Sequence, residues 1–593
     1  MSLLAGVFAY CLIAVVAYWP VSPFSSAQIM ACGCHDAAQE AWFLAWPAFA
    51  LSHLHSLLFT TWIGYPSGVN LATNTSMPLL GALAWPVTKL AGPVASYNFV
   101  LRLGFAASAT SAFWVLRHWT PWTPAAFIGG LVYGFSPYMV GEGLGHAFAM
   151  FVPLPPLIFL VVEELVVVQA RPAWQAGVGL GVLVVAQCYI STEILITTCL
   201  FAVLATAVVA VARPRSVLRH ARHGLAGFGY AAAVVIPLCG YAVWFAFRGP
   251  QHIVGPPHSV AALAPYHADL LSAVIPTQSE YVTPFGLWGI GNRLTGYDIT
   301  ETGAYIGIPL LIALVFIVVR YRDEARMRVA ALLGVAAFAL SLGARLLVDG
   351  FDTHIPLPFA VLTHLPVLQG LVAGRFSLYT GFFAAVVLAI GLGRLHGTLR
   401  GRRPAIRRGV PLAVAAVCLL PLVPNFPYHE VSPDVPAYFT SPAVDQIPAG
   451  SVVLGYPYPY TPDVQAMLWE ADAGMRFKII GGQAAIPGPD RRTTSGPETL
   501  VPPTAEALFL DAMYGSPRIQ AAVPPLDATT LTELRAFCVR YDVGTVIVDP
   551  IGEHPGMVIS YLTAAFGAPP VKEGGVGVWY HADRLAAHLV SSG

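Results

Sequence analysis

The sequence predicts a polytopic α-helical membrane protein followed by a small α/β domain. Three observations predict it. Apolar residues make up 56% of the 593 and charged residues only 10%, with a mean hydropathy of +0.66, whereas a soluble globular chain carries about 25% charge. The apolar residues gather in stretches near the ~20 residues that a membrane crossing requires. Beyond residue 424 the pattern changes to short β-like runs, "SVVLGYP" (451–457), "VGTVIVDP" (543–550) and "GVGVWYH" (575–581), with helical segments such as "TTLTELRAFCVRY" (529–541) between them. Strands alternating with helices imply a layered α/β domain.

Eleven stretches qualify as spans: 2–20, 95–116, 124–141, 147–168, 174–190, 192–212, 225–247, 303–320, 329–347, 375–394 and 410–424. Met1 to Trp19 lacks a basic leader and an A-x-A cleavage site, so it reads as the first span and not as a signal peptide. Pro153, Pro155 and Pro156 predict a kink in the fourth. Arginine sets the orientation. Clusters at Arg117, Arg171, Arg213–Arg222, Arg320–Arg328 and Arg394–Arg408 all fall on one side when the spans are threaded from a cytoplasmic N-terminus, as the positive-inside rule requires. Residues 21–94, 248–302, 348–374 and everything after 424 then lie outside the plasma membrane. The expected domains are a membrane domain, 1–424, whose outer loop 21–94 carries interfacial helices, and an extracytoplasmic α/β domain, 425–593.

Formal net charge is zero and the pI about 7.3, which argues against a nucleic-acid partner. The arginine excess over lysine and the abundant alanine point to a GC-rich bacterial genome. Most of the eight cysteines lie in apolar spans. Cys32 and Cys34 form a C-x-C pair, which lacks zinc-site spacing and is compatible with a bridge or with two free thiols. No Gly-rich phosphate loop is present.

The stretch "ACGCHDAAQEAWFLAWPAF" (31–49) places ionisable groups just after the first span. From Asp36 the spacing predicts a helix in which Asp36 and Glu40 share one face. Trp42, Leu44, Trp46 and Phe49 would form an apolar face lying on the outer leaflet. A carboxylate is also favoured at a helix start for its own sake. The following segment, "TTWIGYPSGVNLATNTSMPLLG" (60–81), supplies Tyr65, Asn70 and Asn74. Further polar groups recur at outer span ends: Glu142 and His146 at i, i+4 in "GEGLGHAF", Glu193 in "QCYISTEIL", Glu280, Arg293, Tyr297, Asp298 and Glu301 in 277–305, and Arg375 in "LVAGRFSLY". Each alone reads as a solvated charge or cap. Together they suggest a cavity lined by carboxylates and an arginine. There a carboxylate can deprotonate an acceptor hydroxyl and an arginine can hold a phosphate leaving group, so a lipid-linked sugar phosphate needs no nucleotide fold.

The stretches "HDAAQEAWFLAWPAFALSH", "YPSGVNLATNTSMPLLG" and "GLVYGFSPYMVGEGLGH", with an early acidic residue after span one and an outer C-terminal domain, resemble actinobacterial members of the GT-C superfamily of polytopic glycosyltransferases. The resemblance spans most of 1–425. It implies a polyprenyl-phosphate sugar donor, a cell-envelope glycan, lipid or protein acceptor, inversion at the sugar, and Asp36 as general base. Glu40, Tyr65, Asn70, Asn74, Glu142, His146, Glu193, Glu280, Arg293 and Arg375 are then the residues expected to bind donor and acceptor. Several members carry a D-D, D-E or D-x-D pair; this chain has His35-Asp36 with Glu40 further on. The cofactor implied is a divalent cation, Mg or Mn, with its ligands unassigned. The aromatic run "GYPYPYTPD" (455–463), with Tyr456, Tyr458 and Tyr460, could stack on acceptor sugars or pack against the membrane surface or the core, and "MLWEADAGMRFKIIGGQ" (467–483) adds polar groups. A lipid or glycan transporter or flippase is the rival reading, although inverted repeats and midplane charges are not evident. A non-catalytic envelope-assembly protein is another.

Overall fold

The structure is a computed structural model, and it describes residues 2–30, 36–295, 300–425, 430–459, 463–488, 490–494, 526–551 and 554–591. Cys32, Cys34, His35, Tyr297, Asp298 and Tyr460 lie outside the described residues. The chain divides into two compact units, each assembled from separated segments. The first holds 1–23, 98–241 and 258–429; the second holds 24–97, 242–257 and 430–593. The expected outer loop thus groups with the C-terminal residues.

The first unit is helical. Among the described residues six helices are long and apolar enough to cross a membrane: Pro78–Trp119, Ala147–Val168, Thr192–Ala212, Val217–Arg248, Gly374–Thr398 and Pro404–Leu422. Leu3–Ala17, Ala173–Cys188 and Ile308–Arg320 are shorter apolar helices. Three expected spans are not continuous. The 124–141 stretch is cut into Thr123–Gly134 and Pro137–Glu142, because Pro137 disfavours helical backbone in the residue before it. The 329–347 stretch is helical only over Ala325–Ser341; Gly343 turns the chain at φ +79 into a hairpin of Arg345–Val348 and Phe351–Pro356. The proline-rich stretch likewise breaks between Ala147–Met150 and Leu154–Glu163.

Ser377–Thr398 is the core helix of this unit, buried along most of its length. Small residues let its neighbours approach. A Cβ at Gly391 would lie 2.6 Å from the Ile317 side chain.

The second unit is built on a five-stranded mixed sheet. Its strands are β1 Val452–Tyr456, β2 Lys478–Ile479, β3 Val543–Val548, β4 Val571–Glu573 and β5 Val576–Tyr580, in the order β4-β5-β3-β1-β2. β3 pairs parallel with β1 and antiparallel with β5. The helices Ala528–Arg540 and Pro555–Phe566 contribute Leu534, Phe537, Val558 and Leu562 to one core with Val546, Val548 and Trp579. The early loop joins this unit by strand pairing, Ile29 with Val431 and Met30 with Glu430.

One expectation fails here. The helix Asp36–His53 forms as the spacing predicts, but Trp42, Leu44 and Trp46 are buried within the unit and not presented to lipid. Trp42 and Trp46 stack at 5.4 Å, and the Trp42 indole donates to Glu470 Oε2 at 2.9 Å. An apolar stripe looks the same whether lipid or protein covers it. Tyr456 and Tyr458 are also fully buried, in the core beside the sheet, so neither offers a face to a sugar.

Candidate functional site

In the first unit three separated segments converge on Arg375. Glu142 ends the helix Pro137–Glu142, which Ser136 caps through its Oγ and Pro137 opens. The chain then folds back in a single turn, with His146 N donating to Glu142 O at 2.8 Å. That turn brings His146 Nδ1 within 2.8 Å of Glu142 Oε2 and 3.8 Å of Glu301 Oε1. Glu193 sits in the first turn of Thr192–Ala212, capped by Ser191, where a carboxylate is favoured by the helix dipole. Its Oε1 accepts from Val372 N at 3.1 Å. Arg375 lies on the short turn Gly374–Phe376 that leads into the core helix. Gly374 is required by proximity: a Cβ there would fall 1.8 Å from the Glu301 carbonyl oxygen.

The Arg375 guanidinium pairs with Glu193 and bidentately with Glu301. It stands 3.7 Å from Glu142 Oε1 and packs 4.9 Å over the Phe148 ring. All five charged or titratable members are sheltered, Glu193 least so. Three carboxylates therefore face one guanidinium and one imidazole, an excess of negative charge that a low-dielectric site tolerates only with a proton or cation. Glu142 Oε1 is buried and has no hydrogen-bond partner. Glu142, His146 and Glu301 offer ligand atoms within 4.8 Å of one another. The orphaned oxygen and the charge excess fit a cation. Two carboxylates suit Mg or Mn, whereas an imidazole suits softer divalent ions than Mg.

Glu280 and Arg293 do not join this cluster. Glu280 is buried, accepts from Thr277 N and Oγ1 at 2.7 and 2.9 Å, and is pushed up by burial to about 7. Arg293 pairs with Asp349 on the surface. Glu301 does join it, although only its place among the loop charges marked it in the sequence.

The other expected residues lie in the second unit. Asp36 opens the helix Asp36–His53, and its Oδ1 accepts from Gln483 Nε2 at 2.8 Å. Glu40 follows one turn later and is buried. Asn70 and Asn74 are structural stitches: Asn70 donates to the carbonyls of Phe245 and Pro250, and Asn74 pairs with both N and O of Ala485. Tyr65 lies beside Lys478, whose ammonium is 5.5 Å from its ring centre. Glu470 and Gln483 fall in the stretch 467–483, which the sequence marks only for its polar groups and without a role for either residue.

Glu470 is fully buried, Trp42 donates to one of its oxygens, and the other has no hydrogen-bond partner. Burial holds its carboxyl well above the ordinary glutamate range. Folding thus favours the protonated form. Its contribution to stability is complete below the unfolded-chain value and is lost as pH rises through the folded one. Thermal unfolding followed from pH 4.5 to 8 is expected to show falling stability in the native protein and a flatter profile in Glu470→Gln, which keeps an acceptor for Trp42.

Fold and composition together define a polytopic membrane protein, with six helices among the described residues long and apolar enough to cross a bilayer. Among the solved structures it superposes on is the arabinofuranosyltransferase AftD from Mycobacteria, with a TM-score of 0.56 and 14% identity, covering 98% of this chain. This chain spans 40% of the length of that one. The Archaeoglobus fulgidus oligosaccharyltransferase superposes with a TM-score of 0.48 and 13% identity, over 99% of this chain and 72% of that one. At such identities the likeness is one of fold. No family model matches the sequence, and no curated protein does.

Proposed function

We propose that the protein is an inverting membrane glycosyltransferase that moves a sugar from a polyprenyl-phosphate donor to a cell-envelope acceptor on the outer face of the plasma membrane. The observation that carries the reading is the sheltered cluster around Arg375, three carboxylates against one guanidinium, in a chain that shares its fold with AftD. Asp36 takes the proton from an acceptor hydroxyl. The oxygen then attacks the anomeric carbon from the face opposite the phosphate, the bond from that carbon to the phosphate oxygen breaks, and polyprenyl phosphate leaves with the electron pair. Within the first unit, Glu142, His146 and Glu301 would hold a divalent cation, which when bound supplies positive charge. The second unit is the extracytoplasmic part and orients the acceptor.

The test is incubation of the full-length protein in nanodiscs with a synthetic polyprenyl-phosphate arabinofuranose, a polyprenyl-phosphate hexose and short oligosaccharide acceptors. Transfer with release of polyprenyl phosphate supports the reading. Movement of intact donor across the bilayer without cleavage would favour the flippase instead.

A further inference from the structure

We infer that Gln483 is the positioning residue for Asp36: its side-chain amide holds the carboxylate in the orientation from which it takes the acceptor proton. This rests on Asp36 being the base.

The geometry begins with the amide. Gln483 Nε2 donates to Asp36 Oδ1 at 2.8 Å. An amide reversed end for end would set its oxygen against the carboxylate, so the contact fixes which way Gln483 lies. That orientation leaves Gln483 Oε1 buried without a hydrogen-bond partner. An orphaned acceptor costs about 1–3 kcal/mol, and a hydrogen bond to a charged group contributes about 1.5–3 kcal/mol. The bond to Asp36 is what offsets the orphan.

Gln483 is itself fixed from several sides. Its carbonyl accepts from Gln39 Nε2 at 2.5 Å, on the helix that Asp36 opens, and its N–H points to Met467 Sδ at 3.3 Å. Two residues later the Asn74 amide clamps Ala485 through both backbone atoms. Before it, Gly481 and Gly482 adopt φ +95 and +123, which only glycine adopts without strain. A Cβ at Gly482 would also sit 3.0 Å from Ile63 Cβ. The segment "GGQAA" (481–485) is therefore a strap whose path is set on both sides of Gln483 and which delivers its amide to Asp36.

The role predicts a split in kinetic effect. Gln483→Met keeps the length of the side chain and removes the donor. In nanodiscs, with the same two polyprenyl-phosphate donors, kcat should fall about ten- to hundredfold, the equivalent of the bond's 1.5–3 kcal/mol, while the donor KM stays within about twofold. A side chain that only supports the fold would move KM and thermal stability and leave kcat per folded enzyme unchanged. A double-variant cycle in thermal unfolding reads the contact without turnover. Asp36→Ala and Gln483→Ala should each lower the midpoint, and the double variant should lie above the sum of the two. Additive shifts overturn the inference, and so does a Gln483→Met enzyme with native kcat. If Asp36→Asn turns over like the native enzyme, or the native enzyme transfers neither sugar, the glycosyltransferase reading falls and Gln483's role with it. If Asp36→Asn is dead while Gln483→Met is normal, only the role of Gln483 is lost.

Discussion

Replacing Asp36 by Asn is expected to cut turnover by about two to four orders of magnitude, the usual contribution of a positioned general base, with expression and thermal stability close to native. The substitution preserves shape and an oxygen that can accept from Gln483, and removes the ability to take up a proton. Donor affinity should be retained, because the base acts on the acceptor. The measurement is kcat on the polyprenyl-phosphate donors beside a donor-binding titration. Native turnover in the variant would sink the assignment.

Replacing Arg375 by Ala is expected to have the largest structural effect. Among the described residues the guanidinium is the only cation placed against Glu193 and one of two groups facing Glu142 and Glu301, the other being His146. Removing it leaves three sheltered carboxylates mutually repelling. Breaking a buried ion pair from one side costs about 3–5 kcal/mol, and here one residue serves several partners. Poor expression and a much lower unfolding midpoint in detergent are the expected results. Arg375→Lys should recover only part of the loss, since an ammonium cannot span Glu193 and Glu301 as the planar fork does. A midpoint within a degree or two of native for Arg375→Ala would show that the cluster does not depend on this charge.

How far the sequence disclosed these features depends on the range of the interaction behind each. Hydropathy is local and additive, so every expected span meets a helix, but among the described residues only six helices are long and apolar enough to cross; Leu3–Ala17, Ala173–Cys188 and Ile308–Arg320 are shorter, and Pro137 and Gly343 interrupt two others. The Glu142–His146 contact was legible from the i, i+4 spacing, although the turn that follows Glu142, and not a continuous helix, closes it. Glu193 and Arg375 were legible one at a time, but their partnership, 182 residues apart, has no local signature. Glu301 was indistinguishable from other charges in its loop. The aromatic face of Asp36–His53 was legible as apolar, and only tertiary structure reveals that protein covers it. Gln483 and Glu470 were legible only as polar groups of the stretch 467–483, because an ordinary polar residue acquires its role from what the fold sets against it.

The strand pairing of Ile29 and Met30 with Val431 and Glu430, and the hydrogen bonds from Trp42 to Glu470 and from Gln483 to Asp36, tie the opening of the chain to residues made some four hundred positions later. During synthesis Asp36 emerges some four hundred residues before the groups that seat it. A ribosome that stalls between them therefore leaves a product whose helix Asp36–His53 has not been seated, so translation through Gln483 is a precondition for holding the aspartate in place.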